Sequence, residues 1–334
     1  MTVTPLLGIE SLSVKFPVGV RKRVTAVDRV SLELYEGETL GLIGESGSGK
    51  STVARAAIGL APVSSGKVKW RGEDVSQFRG RAKREFVESV QMVFQDPHNA
   101  LDPRRTVLQS VREPLDVMGR GNRQDRRRVA VKALDDVGLG AQFLDRYPHQ
   151  MSGGQKQRAN IARALVTHPK VLICDESVAA LDVALQAEIL NLLDDLKQEY
   201  ELTILFISHD LSVVTHVSDR VCVMYLGRIV EQAPTELLAA QSLHPYSEAL
   251  LSAQPLVTGA SAERRIVLSG DIPSPLNPPQ GCRFSSRCRH VVESCRTDLP
   301  ELLPVAAGRS SACIRAESLY LGQHPREETG GLQP

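Results

Sequence analysis

The sequence predicts an α/β fold organised around a phosphate-binding loop. A short apolar run, Leu40–Ile43, is typical of a buried strand, and it leads into a glycine-rich loop and then a helical pattern over 51–60. A second apolar run, Val171–Cys174, ends in the adjacent acids Asp175 and Glu176. A strand, a loop and a helix in that order form the setting that a phosphate-binding loop requires.

Length and composition limit the classes of protein that fit. The 334 residues suggest about two domains, and 42% hydrophobic with 24% charged residues is an ordinary globular balance. The net charge of +1 gives no long-range attraction to nucleic acid or to an anionic membrane. The sequence has no apolar run near the roughly 20 residues of a membrane-spanning helix and no signal pattern at its start. We therefore expect a cytoplasmic protein, and any function at a membrane would require a partner.

The first two thirds of the chain contain strand and helix patterns in alternation. Apolar residues at Val30, Leu32 and Leu34 alternate with polar ones and predict a strand before the buried one. The stretch 97–165 has helical periodicity and is expected to form a helical subdomain. Its run Arg126–Arg128 is more typical of a solvated helix face than of a nucleic-acid contact, because acidic residues lie nearby.

The pattern changes in the last third of the chain. A strand at 203–207 follows an amphipathic helix at 185–196, and prolines and cysteines then become frequent. We place the main domain at 1–255 and a small cysteine-containing region at 256–321. Residues 322–334 are expected to form a disordered tail.

The loop Gly44–Ser51 fits the pattern G-x-x-x-x-G-K-[ST]. Its glycines let backbone N–H groups turn inward toward phosphate oxygens. Lys50 supplies a positive charge to the β and γ phosphates of a nucleotide, and Ser51 offers a hydroxyl to Mg²⁺. The flanking strand and helix favour this interpretation over a glycine-rich turn that binds no ligand. The predicted nucleotide-binding residues here are Gly44, Ser46, Gly47, Ser48, Gly49, Lys50, Ser51 and Thr52.

The paired acids after the second strand predict the other half of this site. Two charges at a buried strand end are costly unless they have a function. Asp175 is expected to hold Mg²⁺ through water, and Glu176 to orient and deprotonate the attacking water. The alternative is a helix N-terminus that merely favours acids, and the phosphate loop argues against it.

The segment Met151–Arg158 closely resembles the signature of ATP-binding-cassette (ABC) ATPases, with Met151 where that family usually has leucine. The resemblance implies a P-loop NTPase fold with a RecA-like core, an antiparallel β part and a helical signature subdomain. In that family the signature caps the γ-phosphate held by a partner subunit, so that two chains enclose two ATP molecules. The residues implied are Ser152, Gly153, Gly154 and Gln155.

Other residues match the same family one at a time. Gln95 is similar to the glutamine that senses Mg²⁺ and water, and His209 to the switch histidine that contacts the γ-phosphate. Phe16 is the candidate for the aromatic ring that stacks on adenine. The implied catalytic set is Glu176, His209 and Gln95, and the implied Mg²⁺ ligands are Ser51, Gln95 and Asp175.

Further segments resemble the dipeptide and oligopeptide importers, namely Phe94–Pro97, Tyr147–His149, His244–Tyr246 and Gly270–Pro275. This resemblance implies a peripheral ATPase on the cytoplasmic face of the membrane. Its implied partners are a second ABC ATPase subunit, expected to be a paralogue, two membrane permeases and an extracytoplasmic substrate-binding protein. Nickel importers share some of these features, and the sequence names neither the solute nor a homodimer or heterodimer.

A soluble ABC protein acting on DNA or the ribosome is the alternative from another functional class. Such proteins usually carry two cassettes or long coiled-coil insertions. This chain has one phosphate loop, one signature and no sustained heptads, and we expect no nucleic-acid partner.

The cysteines are concentrated near the C-terminus. Their spacing lacks the tight C-x2-4-C pairs of most zinc sites, and a reducing cytoplasm disfavours disulfides. The resemblance to peptide importers implies a [4Fe–4S] cluster, apart from the ATP motifs, with zinc or free thiols as the alternatives. The proposed ligands are Cys282, Cys288, Cys295 and Cys313, whereas Cys174 and Cys222 lie in apolar strand patterns and are expected in the core.

Overall fold

The computed structural model describes residues 4–19, 22–96, 100–179, 181–253 and 266–319. The strands are β1 (Leu7–Val18), β2 (Lys22–Leu34), β3 (Thr39–Ile43), β4 (Ser65–Trp70), β5 (Glu73–Asp74), β6 (Val90–Val93), β7 (Val171–Asp175), β8 (Thr203–Ser208), β9 (Arg220–Tyr225), β10 (Arg228–Pro234), β11 (Leu303–Ala306) and β12 (Arg309–Ser311). The α-helices are α1 (Lys50–Ala57), α2 (Gly80–Ser89), α3 (Val107–Met118), α4 (Arg123–Asp136), α5 (Gly153–Leu165), α6 (Val183–Glu199), α7 (Leu211–Val217), α8 (Thr235–Ala240), α9 (Pro245–Ser252) and α10 (Ser294–Thr297).

The strands form two sheets. The larger has eight strands in the order β11-β12-β10-β9-β3-β8-β7-β6, and its members from β9 to β6 pair in parallel. The smaller is antiparallel with the order β2-β1-β4-β5. These sheets confirm the predicted α/β core with an antiparallel β part.

Strand register explains why the two predicted halves of the site meet. Ile43, the last residue of β3, pairs with Ser208 of β8, and Asp175, the last residue of β7, pairs with Ile207. The carboxyl ends of these parallel strands therefore lie at one edge of the sheet, which is where open α/β sheets bind their ligands.

Side chains alternate between the two faces of the large sheet. Val171 and Ile173 pack toward the antiparallel sheet and α1, whereas Leu172 and Cys174 pack toward the helical part of the chain. This period of two buries both faces of β7, as a central parallel strand requires. Cys174 and Cys222 are buried as expected, and burial raises the pKa of each thiol to about 12.

The helices α3, α4 and α5 make up most of the described part of the region predicted as a helical subdomain; residues 97–99 of that region lie outside the described residues. Thr106 starts α3 with a capping box to Gln109. On α4, Arg126 pairs with Asp116 at 3.2 Å while Arg127 and Arg128 are exposed. The arginine run thus lies on a solvated helix face.

The C-terminal region adds to the same large sheet. Glu231 of β10 pairs with Ser311 of β12, so β12 and β11 form the end of the large sheet beyond β10. Phe284 is buried in the main hydrophobic cluster. The predicted boundary at 255 and the predicted tail at 322–334 lie outside the described residues.

Within the described ranges, none of the helices combines the length and apolar character needed to cross a bilayer.

Candidate active site

The phosphate loop joins β3 to α1 and fits closely against neighbouring backbone. Gly49 has φ +107°, and a Cβ there would lie 2.3 Å from the carbonyl oxygen of Ala26. A Cβ on Gly44 would lie 2.1 Å from the carbonyl oxygen of Met224. Real Cβ contacts are never this short, so both positions require glycine for space, and Gly49 also for its left-handed backbone.

Lys50 is the first residue of α1 and is only 4% exposed. Its Nζ donates to the carbonyl oxygens of Gly44 at 2.7 Å and Glu45 at 3.1 Å, and it lies 3.8 Å from Oε1 of Glu176. Burial lowers the pKa of Lys50, while the carboxylates of Glu176 and Asp175 oppose that shift. The ammonium is thus held within the loop, where a phosphate oxygen can replace its present acceptors.

Ser51 and Asp175, two of the predicted Mg²⁺ ligands, are hydrogen-bonded to each other beside this lysine. The Ser51 hydroxyl donates to Oδ1 of Asp175 at 2.7 Å. Asp175 is 1% exposed, and burial raises the pKa of its carboxyl group. Among the described residues, Oδ2 of Asp175 and the buried hydroxyl of Ser48 have no hydrogen-bond partner. A buried carboxylate oxygen left over beside a hydroxyl fits a hydrated Mg²⁺ ion, which prefers oxygen ligands.

Glu176 is the residue on which the predicted catalytic groups converge. Gln95 Nε2 donates to its Oε2 at 2.6 Å, and Nδ1 of His209 lies 3.6 Å from its Oε1. Its backbone adopts φ +47°, and its N–H donates to the carbonyl oxygen of Ile207 at 2.9 Å. A non-glycine residue in this conformation costs about 1–3 kcal/mol, which the contacts around Glu176 must offset.

The loop that carries Gln95 is tied to the signature helix α5. Asn160 Nδ2 donates to the carbonyl oxygen of Phe94 at 3.3 Å, and Arg163 Nη1 donates to that of Ala100 at 2.8 Å. A displacement of α5 would therefore be transmitted to Gln95. Sequence reasoning missed both residues, since nothing in a helical periodicity marks which polar side chains reach a distant backbone.

The signature residues form the start of α5. Ser152 is its N-cap in a capping box with Gln155, whose N–H reaches the Ser152 hydroxyl at 3.3 Å. A Cβ on Gly154 would lie 3.2 Å from Leu185 of α6, so the two helices approach closely there. Met151 is buried in the main cluster, where leucine and methionine are interchangeable by volume. Ser152 itself is exposed.

The remaining predicted nucleotide contacts lie around this edge or on β1. Ser46 and Gly47 are exposed in the loop, and Thr52 is half-buried in the first turn of α1. Phe16 is half-buried on β1, opposite Val24 of β2, and packs against the second hydrophobic cluster. The roles of these residues and of the signature remain predictions.

The four C-terminal cysteines line one small cavity, together with Phe284 and His290. Burial raises the pKa of Cys282 to about 11, and it also raises the pKa values of Cys288 and Cys313. Among the described residues, no group of three or more His, Cys, Asp or Glu side chains is arranged to hold a metal ion. The structure thus brings the predicted cysteines to one cavity without forming a compact single-ion site.

Two protein-family models match parts of this chain. A family model described as "ABC transporter" matches residues 27–179, and one described as "Oligopeptide/dipeptide transporter, C-terminal region" matches residues 230–295. A probable peptide ABC transporter ATP-binding protein of Sinorhizobium fredii is 46% identical over 93% of this chain and 90% of its own. The oligopeptide transport ATP-binding protein AppF of Bacillus subtilis is 44% identical over 92% of this chain and 96% of its own.

Solved structures of ATP-binding cassettes are similar to this chain. The ATP-binding cassette MJ0796, in a dimeric post-hydrolysis state bound to ADP and Pi, superposes with a TM-score of 0.62 at 28% identity, covering 69% of this chain and 98% of that one. Clostridium perfringens cbiO1, part of an ABC transporter complex, gives a TM-score of 0.61 at 31% identity, covering 70% and 90%.

Proposed function

Because the chain belongs to the family of ABC transporter ATP-binding proteins, we propose that it is the ATP-hydrolysing subunit of a peptide importer. One observation carries the chemistry: Lys50, Gln95 and His209 converge on Glu176 beside the Ser51–Asp175 pair. The two relatives are peptide and oligopeptide transport proteins by name, which supports peptides as the solute.

Each of these residues has a separate role in the hydrolysis of ATP. Lys50 and the loop N–H groups bind the phosphates, and Ser51 and Asp175 would hold Mg²⁺. When bound, Mg²⁺ neutralises charge that develops on the transferred phosphoryl group. Gln95 orients the attacking water, and a carboxylate oxygen of Glu176 takes its proton. His209, whose Nδ1 lies 3.6 Å from Glu176, would contact the γ-phosphate, as the family resemblance implies.

We further propose that two cassettes assemble head to tail, with the signature of one chain capping the nucleotide of the other. The N-terminus of α5 supports this, because Ser152 is exposed and a helix N-terminus favours an anion. The cassette MJ0796 is itself described in a dimeric state. The second cassette is expected to be a paralogous chain.

The permease partners would dock on a cavity of about 230 Å³, which lies between α2 and β6 on one side and the helices α3 and α5 on the other. Its walls combine Phe86 and Val87 of α2 with Pro114 of α3, and Leu60 on its rim is 61% exposed. Phe94, which also lines it, directly precedes Gln95. A cytoplasmic helix of a permease with an apolar face fits such a groove and would contact the catalytic glutamine loop. Substrate would reach the permeases from an extracytoplasmic binding protein, with this chain at the cytoplasmic face.

Copurification tests this assignment. The tagged chain, extracted from membranes of its own cells in mild detergent, should recover two polytopic proteins and a second cassette. Recovery with nucleic acid and without integral membrane proteins would contradict it.

For the C-terminal region we propose a [4Fe–4S] cluster held by Cys282, Cys288, Cys295 and Cys313. Four cysteines on one cavity support it. The four thiolates would ligate the irons of such a cluster. The backbone N–H of His290 donates to Sγ of Cys288 at 3.4 Å, a contact of the kind that tunes clusters.

Anaerobic purification tests the cluster. The protein should be brown and contain about four irons and four sulfides per chain. Cys288→Ala should bleach it, whereas Cys222→Ala, which removes a buried core thiol, should not. One zinc per chain, or no metal, would contradict the cluster.

A further inference from the structure

The C-terminal region reaches directly into the phosphate loop. Arg287 forms a bidentate ion pair with Glu45, the second residue of the loop, with Nη1–Oε2 at 2.8 Å and Nη2–Oε1 at 3.1 Å. The Arg287 side chain is 7% exposed and that of Glu45 is 23% exposed. This pairing joins two residues that are 242 positions apart in the chain.

A second contact from outside the loop holds the same residue. The backbone N–H of Glu45 donates to the hydroxyl of Tyr246 at 2.9 Å. The rings of Tyr246, Tyr225 and Phe284 pack together with centroids 4.6–5.4 Å apart. Glu45 is therefore fixed at its backbone by α9 and at its side chain by the cysteine-containing segment.

The position of Glu45 affects the placement and the charge of the groups in the loop that bind phosphate. Its carbonyl oxygen accepts a hydrogen bond from Lys50 Nζ, so the backbone at Glu45 helps to place the phosphate-binding ammonium. Its carboxylate is also a negative charge within a loop that binds negative phosphates. Without a countercharge this carboxylate would repel the nucleotide, and the Arg287 guanidinium neutralises it through two hydrogen bonds.

We infer that Arg287 is a positioning residue for ATP binding, through which the C-terminal region completes the phosphate loop. The inference rests on the ATP binding proposed above but not on a cluster or on peptide transport. The affinity of the chain for nucleotide then depends on a region that contains none of the ATP-binding motifs.

The test compares ATP affinity and steady-state kinetics of the purified full-length chain and its variants. Arg287→Ala should weaken ATP binding and raise KM by about 10- to 100-fold, because it leaves an uncompensated carboxylate in the phosphate-binding loop, while kcat changes little. Arg287→Lys should recover only part of the loss, because an ammonium cannot pair in bidentate fashion. Adding Glu45→Gln to Arg287→Ala should restore most of the affinity, since no unbalanced charge is then left beside the phosphates.

Arg283→Ala is the matched control. Arg283 pairs with Asp28 at 3.1 Å and joins the same C-terminal segment to β2 instead of the phosphate loop. Its loss should leave ATP affinity near that of the wild type. An unchanged KM for Arg287→Ala, or a loss that Glu45→Gln does not rescue, would overturn the inference. A wild-type chain that fails to bind ATP would instead refute the proposed function.

Discussion

Glu176→Gln should separate ATP binding from hydrolysis. Glutamine keeps the size of the side chain, and its carbonyl oxygen can still accept the hydrogen bond that Gln95 donates at 2.6 Å. The substitution removes the carboxylate that we propose takes a proton from the attacking water. Loss of a general base costs about 10²–10⁴ in rate, which corresponds to about 3–5 kcal/mol in the barrier.

ATP binding should survive this change or become tighter. In the structure the Lys50 ammonium lies 3.8 Å from the Glu176 carboxylate, and both side chains are largely buried. At an effective dielectric constant near 20 that attraction is worth about 4 kcal/mol before desolvation is subtracted. A neutral glutamine releases Lys50 for phosphate and removes a charge that repels it. ATP should therefore persist, and the head-to-tail dimer should accumulate.

The assay pairs phosphate release at saturating Mg-ATP with equilibrium binding of ATP. Glu201→Gln is the matched control, because Glu201 has the same left-handed backbone, with φ +51° against +47°, but is exposed. It should leave both measurements unchanged. An unaltered hydrolysis rate in Glu176→Gln would remove Glu176 from the mechanism, and lost ATP binding would make it a binding residue.

The remaining predictions concern the loop, the signature and acid stability. Lys50→Ala should weaken ATP binding by about 10- to 100-fold in equilibrium dialysis, since it deletes charge-assisted bonds to phosphate; an unchanged Kd would contradict its role. Ser152→Arg should spare ATP binding by the monomer but block ATP-dependent dimerisation in gel filtration, and if it loses ATP as Lys50→Ala does, the trans role is wrong. Burial lowers the pKa of His244 from 6.5 to about 3. The unfolded chain therefore binds a proton at this residue at a higher pH than the folded chain does, and the free energy of unfolding decreases as the pH falls through about 6.5. Between pH 7 and pH 5 the free energy of unfolding in urea should decrease by about 2 kcal/mol. His244→Asn, whose side chain can still accept the hydrogen bond from the Tyr246 N–H, should lack this decrease. The same pH dependence in both proteins would refute the assignment to His244.

The sequence predicted the features that depend on local pattern. The strand and the helix that flank the glycine-rich loop were confirmed, because strand periodicity, glycine placement and the motif all act within about 20 residues. The two acids at the end of β7 were found for the same reason, and parallel pairing then placed them beside Lys50.

What the sequence did not reveal depends on contacts between distant segments. The left-handed backbone of Glu176 follows from its fixed position between Ile207 and Gln95, not from its residue type. The pair between Arg287 and Glu45 has no signal in either local sequence, because an arginine in a proline-rich segment is ordinarily a solvated side chain. The segment expected to lie apart from the ATP motifs thus contacts one of them.

Uptake of labelled peptides by cells that carry Glu176→Gln at the chain's own locus tests the central claim most directly. The account predicts that ATP-dependent uptake of a mixed peptide pool falls at least as steeply as hydrolysis, while uptake of free amino acids is unchanged. Peptide uptake equal to that of the wild type, with the variant present in the membrane fraction and inactive in hydrolysis, would contradict the assignment of this chain to peptide import.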